Sequence, residues 1–217
     1  MCPRPDGPRL FRMFPAKAES SLIMRHGRHS DDFLEEHLAE AAQRLAPTFH
    51  GQPVDDLILI PWLYLYRHAM ELTMKRSILY AVGLRRNNGE EEPSLDSEVV
   101  ADRLSKKHKH RLGAILNELQ VHLGALDLPP VPSDAAKIVQ LLGELDPAGL
   151  SFRYSEQLPD SVDRIDFVQM NAAIATAYTT VAAALDVLCE YGDVQSDYLD
   201  EMRQIQAEIE ADLRDDY

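Results

Sequence analysis

Leu57-Ile58-Leu59-Ile60-Pro61-Trp62-Leu63-Tyr64-Leu65-Tyr66 is the stretch on which the fold turns. It carries no charge, and apolar residues continue beyond it to Leu84. A helix that is apolar on nearly all sides has to be wrapped by others, so residues 55–84 are predicted to form the central helix of a bundle. Pro61 either kinks this helix or begins it anew.

The flanks supply the wrapping elements. Ser30 is a good N-cap, Asp31 and Asp32 suit a first turn, and Phe33, Leu34, Leu38, Ala41, Ala42 and Leu45 recur at helical spacing until Pro47. Arg85-Arg86-Asn87-Asn88-Gly89 and Glu90-Glu91-Glu92-Pro93 read as an exposed loop. Further helices are predicted near residues 95–105, 110–124 and 134–145, the last capped by Ser133 and closed by Pro147 and Gly149. Leu150-Ser151-Phe152-Arg153-Tyr154 reads as a connector. Residues 161–191 form an Ala-rich helix with Phe167, Met170, Ile174, Tyr178, Val181 and Leu185 on one face. A last helix over 194–214 is expected to dock by Leu199, Met202, Ile205, Ile209 and Leu213.

The expectation is therefore an all-α protein, an antiparallel bundle of about five main helices. Residues 1–29 form a basic flexible arm, 30–193 the bundle, and 194–217 an acidic C-terminal helix laid on it. Hydrophobic residues at 45% and charged residues at 27% are globular values and exclude wholesale disorder.

Charge is unevenly placed. The net charge is −14, yet residues 1–30 carry six cations against Asp6 and Glu19, or +4, which leaves −18 for the remainder. An acidic body repels a phosphate backbone at long range, so any nucleic-acid contact has to be a local basic groove. Cys2 and Cys189 have no metal-ligand or disulfide-framework spacing, which fits a reducing cytoplasm. No leader-like segment and no run of 18 apolar residues is seen, so neither secretion nor a membrane is expected.

Three constellations carry candidate chemistry. Arg67, His68, Glu71 and Lys75 interrupt the central helix within one broad face, either as an internal ion-pair network or as a site. Lys106-Lys107-His108-Lys109-His110-Arg111 sets cations at a helix N-terminus, where the dipole opposes them and an anion would explain them. Phe152-Arg153-Tyr154 places an arginine between two rings. His108 and His110 alone are half a zinc site, so no metal and no cofactor is expected.

Arg67-His68-x-x-Glu71-Leu72-x-x-Lys75, then His110-x-Leu112, then Phe152-Arg153-Tyr154, resembles a bacterial branch of the HEPN families across residues 55–190. Those are small helical bundles, often dimeric. Their active members use an Arg, a gap of four to six residues and a His as a metal-independent RNase motif. The resemblance implies Arg103 with His108 or with His110 as that motif, although Leu104 stands where active families place a polar residue. Arg44 and His50 also fit the gap, with Pro47 inside it. It further implies Arg153, Lys107 and Lys109 as substrate-binding cations, RNA as substrate, a homodimer, and a setting in toxin-antitoxin or phage-defence biology. In that scheme a histidine moves the proton of a ribose 2′-hydroxyl or of the leaving oxygen while arginine holds the phosphate. The alternative is a non-catalytic interaction module that engages a protein partner through the basic arm or the acidic C-terminal helix. Arg25-His26-Gly27 resembles the opening of the histidine phosphatase superfamily, whose α/β fold the helical remainder denies.

Overall fold

A computed structural model describes residues 33–152 and 164–215, with side chains through Glu210. Among the described residues there are helices and no strands, as the sequence implies. The helices are α1 (Leu34–Leu45), α2 (Asp56–Asn87), α3 (Ser97–Asp102), α4 (Leu112–Ala125), α5 (Ser133–Leu145) and α6 (Phe167–Asp215). Short 3-10 turns at Ala46–Thr48, Pro53–Asp55 and Pro93–Leu95 join them, and a π-helical turn, Arg103–His108, extends α3. The basic arm and Arg153-Tyr154 lie outside the described residues.

α2 is the central element. Trp62, Tyr66, Met70, Met74 and Ile78 recur every fourth residue, and each is fully buried. α6 packs on one side of α2 and α4 on another, while α5 rests on both α4 and α6. Each buried large side chain along that row contributes roughly 1.5–3 kcal/mol by leaving water. The helix begins before Pro61 and runs through it. The hydrogen bond that Pro61 cannot donate belongs to the first turns, where Leu57 is exposed and water can take up the freed carbonyl.

Six helices replace the expected five because short segments resolve separately and two long ones fuse. Arg85, Arg86 and Asn87 continue α2 instead of starting a loop, since Arg85 is held by Glu90 and His122. Ser133 is the first residue of α5, with Pro132 in the cap position.

The larger correction concerns the expected break near residue 193. α6 runs unbroken for 49 residues, about 74 Å at 1.5 Å per residue. Gly192 is there for contact rather than for termination: a Cβ on it would stand 2.7 Å from the Tyr80 hydroxyl. The first half of α6 buries Phe167, Ile174, Tyr178 and Val181, the face read from sequence. Within α6, a stretch has a mean hydropathy of 1.6, long and apolar enough by composition to cross a membrane, and its buried face is the one turned to the bundle.

The second half does not dock. From Ser196 to Glu210 the side chains are exposed or half-exposed, with Met202 at 45%, Ile205 at 42% and Ile209 at 55%. The physical reason is length: a continuous helix carries its stripe past the end of α2 instead of folding it back.

Candidate functional site

Charged side chains along α2 and α4 are gathered into two buried networks. The first is built on Arg67, whose guanidinium is 3% exposed. Its Nη1 donates to Glu71 Oε2 at 3.0 Å, and Nη2 donates to the carbonyls of His110 at 2.6 Å and Asp146 at 3.0 Å. Its Nε lies 2.9 Å from Asp146 Oδ2, an ion contact without hydrogen-bond alignment. One side chain of α2 thereby ties down the turn before α4 and the turn after α5.

Glu71 collects the other cations. Lys75 Nζ donates to Glu71 Oε1 at 2.7 Å, and His110 Nδ1 sits 2.9 Å from the same oxygen. A carboxylate only accepts, so Nδ1 carries the proton there. Burial works to raise the Glu71 carboxyl, but Lys75 and His110 together outweigh it and hold it below its ordinary value. Asp146 in turn accepts from the backbone N–H groups of Leu150 and Ser151, each at 2.9 Å. Gly149 closes that turn at φ +71, where a Cβ would come within 2.6 Å of His110 Cβ. Only glycine lets the turn lie this close to the network.

The second network is built on Glu118 of α4. Arg103 donates to Glu118 Oε1 from Nε at 2.9 Å and from Nη2 at 2.7 Å, and from Nη1 to the Ser94 carbonyl. His108 Nε2 donates to Glu118 Oε2 through a short contact. His122, on the next turn of α4, lies 3.6 Å from Glu118 and accepts from Arg85 Nη1 through Nδ1 at 3.0 Å. Burial lowers the His122 pKa, and the Arg85 charge adds to the effect. Burial raises the Glu118 carboxyl, yet Arg103 and His108 draw it below its ordinary value.

The expected residues are therefore divided. Arg103 and His108 meet on one carboxylate, whereas His110 belongs to the Arg67 network with Glu71 and Lys75. His68 leaves that network and stacks on Tyr64 at 5.8 Å. Lys107 and Lys109 are exposed, and Lys109 closes the π turn at φ +52. Lys106 pairs with Asp102 and Arg111 donates to the Lys107 carbonyl, so part of the cationic turn is neutralised locally. Arg44 pairs with Glu40 on the surface of α1, and His50 is exposed beyond its end. Among the described residues, no group of three or more His, Cys, Asp and Glu side chains could hold a metal ion.

Asp146, Glu118, His122 and Arg85 were not singled out from sequence. The contacts that tie them across the bundle, Arg103 to Glu118, Arg85 to His122 and Arg67 to Asp146, span 15, 37 and 79 residues, so no local spacing signals them. Asp146-Pro147-x-Gly149 carried a turn signal, but nothing in it shows that the carboxylate faces an arginine of α2. A third cluster joins α2 to α6: buried Gln195 donates to the Leu84 carbonyl at 3.0 Å and to Asn88 Oδ1 at 2.6 Å, and accepts from Asn87 at 3.1 Å. Compared with known proteins, the chain matches no family model, no curated protein and no solved structure.

Proposed function

We propose that this protein is a non-catalytic interaction module, a helical bundle whose α6 runs parallel to α2 and extends beyond it as a docking rod for a protein partner. The observation that carries the reading is the stripe of exposed Met202, Ile205 and Ile209 with half-exposed Leu199. From Gln195 to Asp215 the helix spans about 30 Å with little tertiary support. Most of a helix's stability in a protein comes from packing of its amphipathic face, and pairs such as Arg203 with Asp200 add only tenths of a kcal/mol. An amphipathic face on such a rod is stabilised by a cover.

The chemistry of the cover follows from charge. Asp197, Asp200, Glu201, Glu208 and Glu210 flank the stripe against Arg203, a net of −4 over residues 194–210. Two copies of this helix side by side would repel, whereas a basic amphipathic helix complements both stripe and flanks. The test titrates the full chain against a Leu/Lys amphipathic helical peptide by fluorescence anisotropy. Wild type should bind with a salt-dependent affinity, and the Ile205→Ser, Ile209→Ser double variant should bind at least about tenfold more weakly at unchanged thermal stability. Equal binding by both proteins defeats the reading.

A second reading keeps the HEPN-like resemblance and its RNA-directed activity, and the meeting of Arg103 and His108 on Glu118 favours it. It requires RNA cleavage in excess chelator that His108→Ala abolishes in a folded protein. His108 and Glu118 are about nine-tenths buried and each guanidinium nitrogen of Arg103 already donates to Glu118 or Ser94, which places this reading second.

A further inference from the structure

At the end of the bundle opposite the free half of α6, along the chain's own order, the 3-10 turn after α1 and the start of α6 face each other across the side of α2. They border an open cleft of about 310 Å³, lined by Gln43, Ala46, Phe49, Tyr66, Phe167 and Asn171 among others. Its walls are aromatic. The Phe49 and Phe167 rings are 4.9 Å apart, Trp62 meets Phe167 edge-on at 5.1 Å, and Tyr66 meets Trp62 edge-on at 5.3 Å. No lining side chain is charged, in a protein of net charge −14.

Buried polar atoms without partners are concentrated here. Among the described residues, the Tyr66 hydroxyl, Asn171 Oδ1 and Trp62 Nε1 are all buried and make no hydrogen bond. Tyr66 is fully buried, and it lines the cleft together with half-buried Asn171. Gln43, a polar neighbour of that hydroxyl on the rim, makes no hydrogen bond of good geometry to it. Elsewhere the buried atoms without aligned hydrogen bonds are Arg67 Nε and Asp146 Oδ2, which face each other as ions, and His108 Nδ1. Leaving a buried donor or acceptor unmade costs about 1–3 kcal/mol, so two or three around one aromatic cleft need a reason.

We infer that this cleft is a binding site for a small, flat, uncharged molecule bearing an N–H donor beside a carbonyl acceptor, of the aryl amide or lactam class. Each feature of the ligand answers a feature of the wall. The Tyr66 hydroxyl donates to the carbonyl, and Asn171 Oδ1 accepts from the N–H. The rings of Phe49 and Phe167 cover the flat body. Absence of charge in the lining excludes an ion, whose desolvation nothing there would offset. The volume lies at the lower end of ligand pockets, which limits the body to one or two rings. Burial raises the Tyr66 phenol above its ordinary value, against the pull of Gln43, so the hydroxyl stays protonated as the donor.

The test uses the full chain and benzamide as the probe, with toluene as the same ring lacking the amide. Trp62 is the sole tryptophan in the sequence and sits in the cluster, so its emission reports occupancy. Benzamide should give a saturable change, confirmed by calorimetry, and toluene should bind at least about tenfold more weakly. Tyr66→Phe removes only the hydroxyl and should weaken benzamide about tenfold while leaving toluene unchanged. If Tyr66→Phe does not fold, Asn171→Ala carries the same comparison from the other wall. No saturable change with benzamide, equal binding of benzamide and toluene, or benzamide affinity indifferent to the folded variant each overturns the assignment.

Discussion

Removing one charge at a time from the Arg67 network should reveal which member holds it together. Glu71→Leu leaves Arg67, Lys75 and His110 without their shared carboxylate. Two of those three can escape: the Lys75 side chain is 20% exposed and that of His110 is 40% exposed, so both can swing toward water. Arg67 cannot, but Asp146 stays 2.9 Å from its Nε. The loss should therefore fall at the low end for a broken buried pair, about 3 kcal/mol. Arg67→Met should cost more. It leaves Glu71 with Lys75 and His110, and the Asp146 carboxylate with two backbone donors, but it strips the His110 carbonyl of its donor and leaves the Asp146 carbonyl only the Gly149 N–H at 3.3 Å. One stripped acceptor at about 1–3 kcal/mol, added to about 3 kcal/mol for the lost ion contacts, puts this variant near 4–5 kcal/mol. Equilibrium urea unfolding followed by Trp62 emission measures both, with Glu40→Gln on the exposed Glu40–Arg44 pair as a control expected to change less than about 1 kcal/mol. A Glu71→Leu loss under about 1 kcal/mol, or one larger than that of Arg67→Met, refutes the view that arginine is the clamp.

The same network sets a pH dependence. Glu71 is held below its ordinary value of 4.5, so the stability it contributes is complete above that pH and is lost as pH falls through its lower folded value; Glu71→Gln should flatten that acid limb in a urea series. His122 acts at milder acidity. Its folded pKa lies below 6.5, so the unfolded chain takes up the proton first and stability declines as pH drops below 6.5; His122→Gln should remove that decline, and an unchanged profile would show that the ring reaches water. Gly149→Ala meets both a positive φ and the His110 side chain, and should lose well over about 1 kcal/mol in the same assay. Lys109, at φ +52 and ψ −108, holds a backbone that only glycine adopts easily; Lys109→Gly should raise the urea midpoint by relieving about 1 kcal/mol of net strain, and a lowered midpoint would mean the turn is unstrained.

The helices were legible because their signals are local. The uninterrupted apolar run from Leu57 marked α2 as central, and spacing from Phe167 to Val181 marked the buried face of α6. Where the reading departed, a local cue competed with a distant contact. Gly192 lies inside one continuous helix with Tyr80 against it, and Arg85-Arg86 looks like a loop until Glu90 and His122 receive Arg85. Arg67, Glu71 and Lys75 were recognisable as one face, but the carboxylate and the two carbonyls that complete the network come from turns 43 and 79 residues away. Arg103 and His108 share a short interval, yet only Glu118 on α4 makes them neighbours in a network.

Gln195 connects these anchors to the proposed docking rod. It is the last buried residue of α6 among those whose side chains are described, and its carboxamide is spent on the C-terminal turn of α2, with Asn88 also donating to the Tyr191 hydroxyl at 3.1 Å. A helix leaving the bundle from such a fixed point leaves in one direction. Fixing it before a partner arrives lowers the ordering cost of association, which otherwise removes about 0.5–1.5 kcal/mol for each immobilised flexible side chain. Gln195→Ala should therefore weaken the Leu/Lys peptide without touching the stripe, and it should do so through a less favourable binding entropy in calorimetry. A variant that binds as well as wild type would show that the rod needs no fixed exit, and would leave the stripe alone responsible for capture.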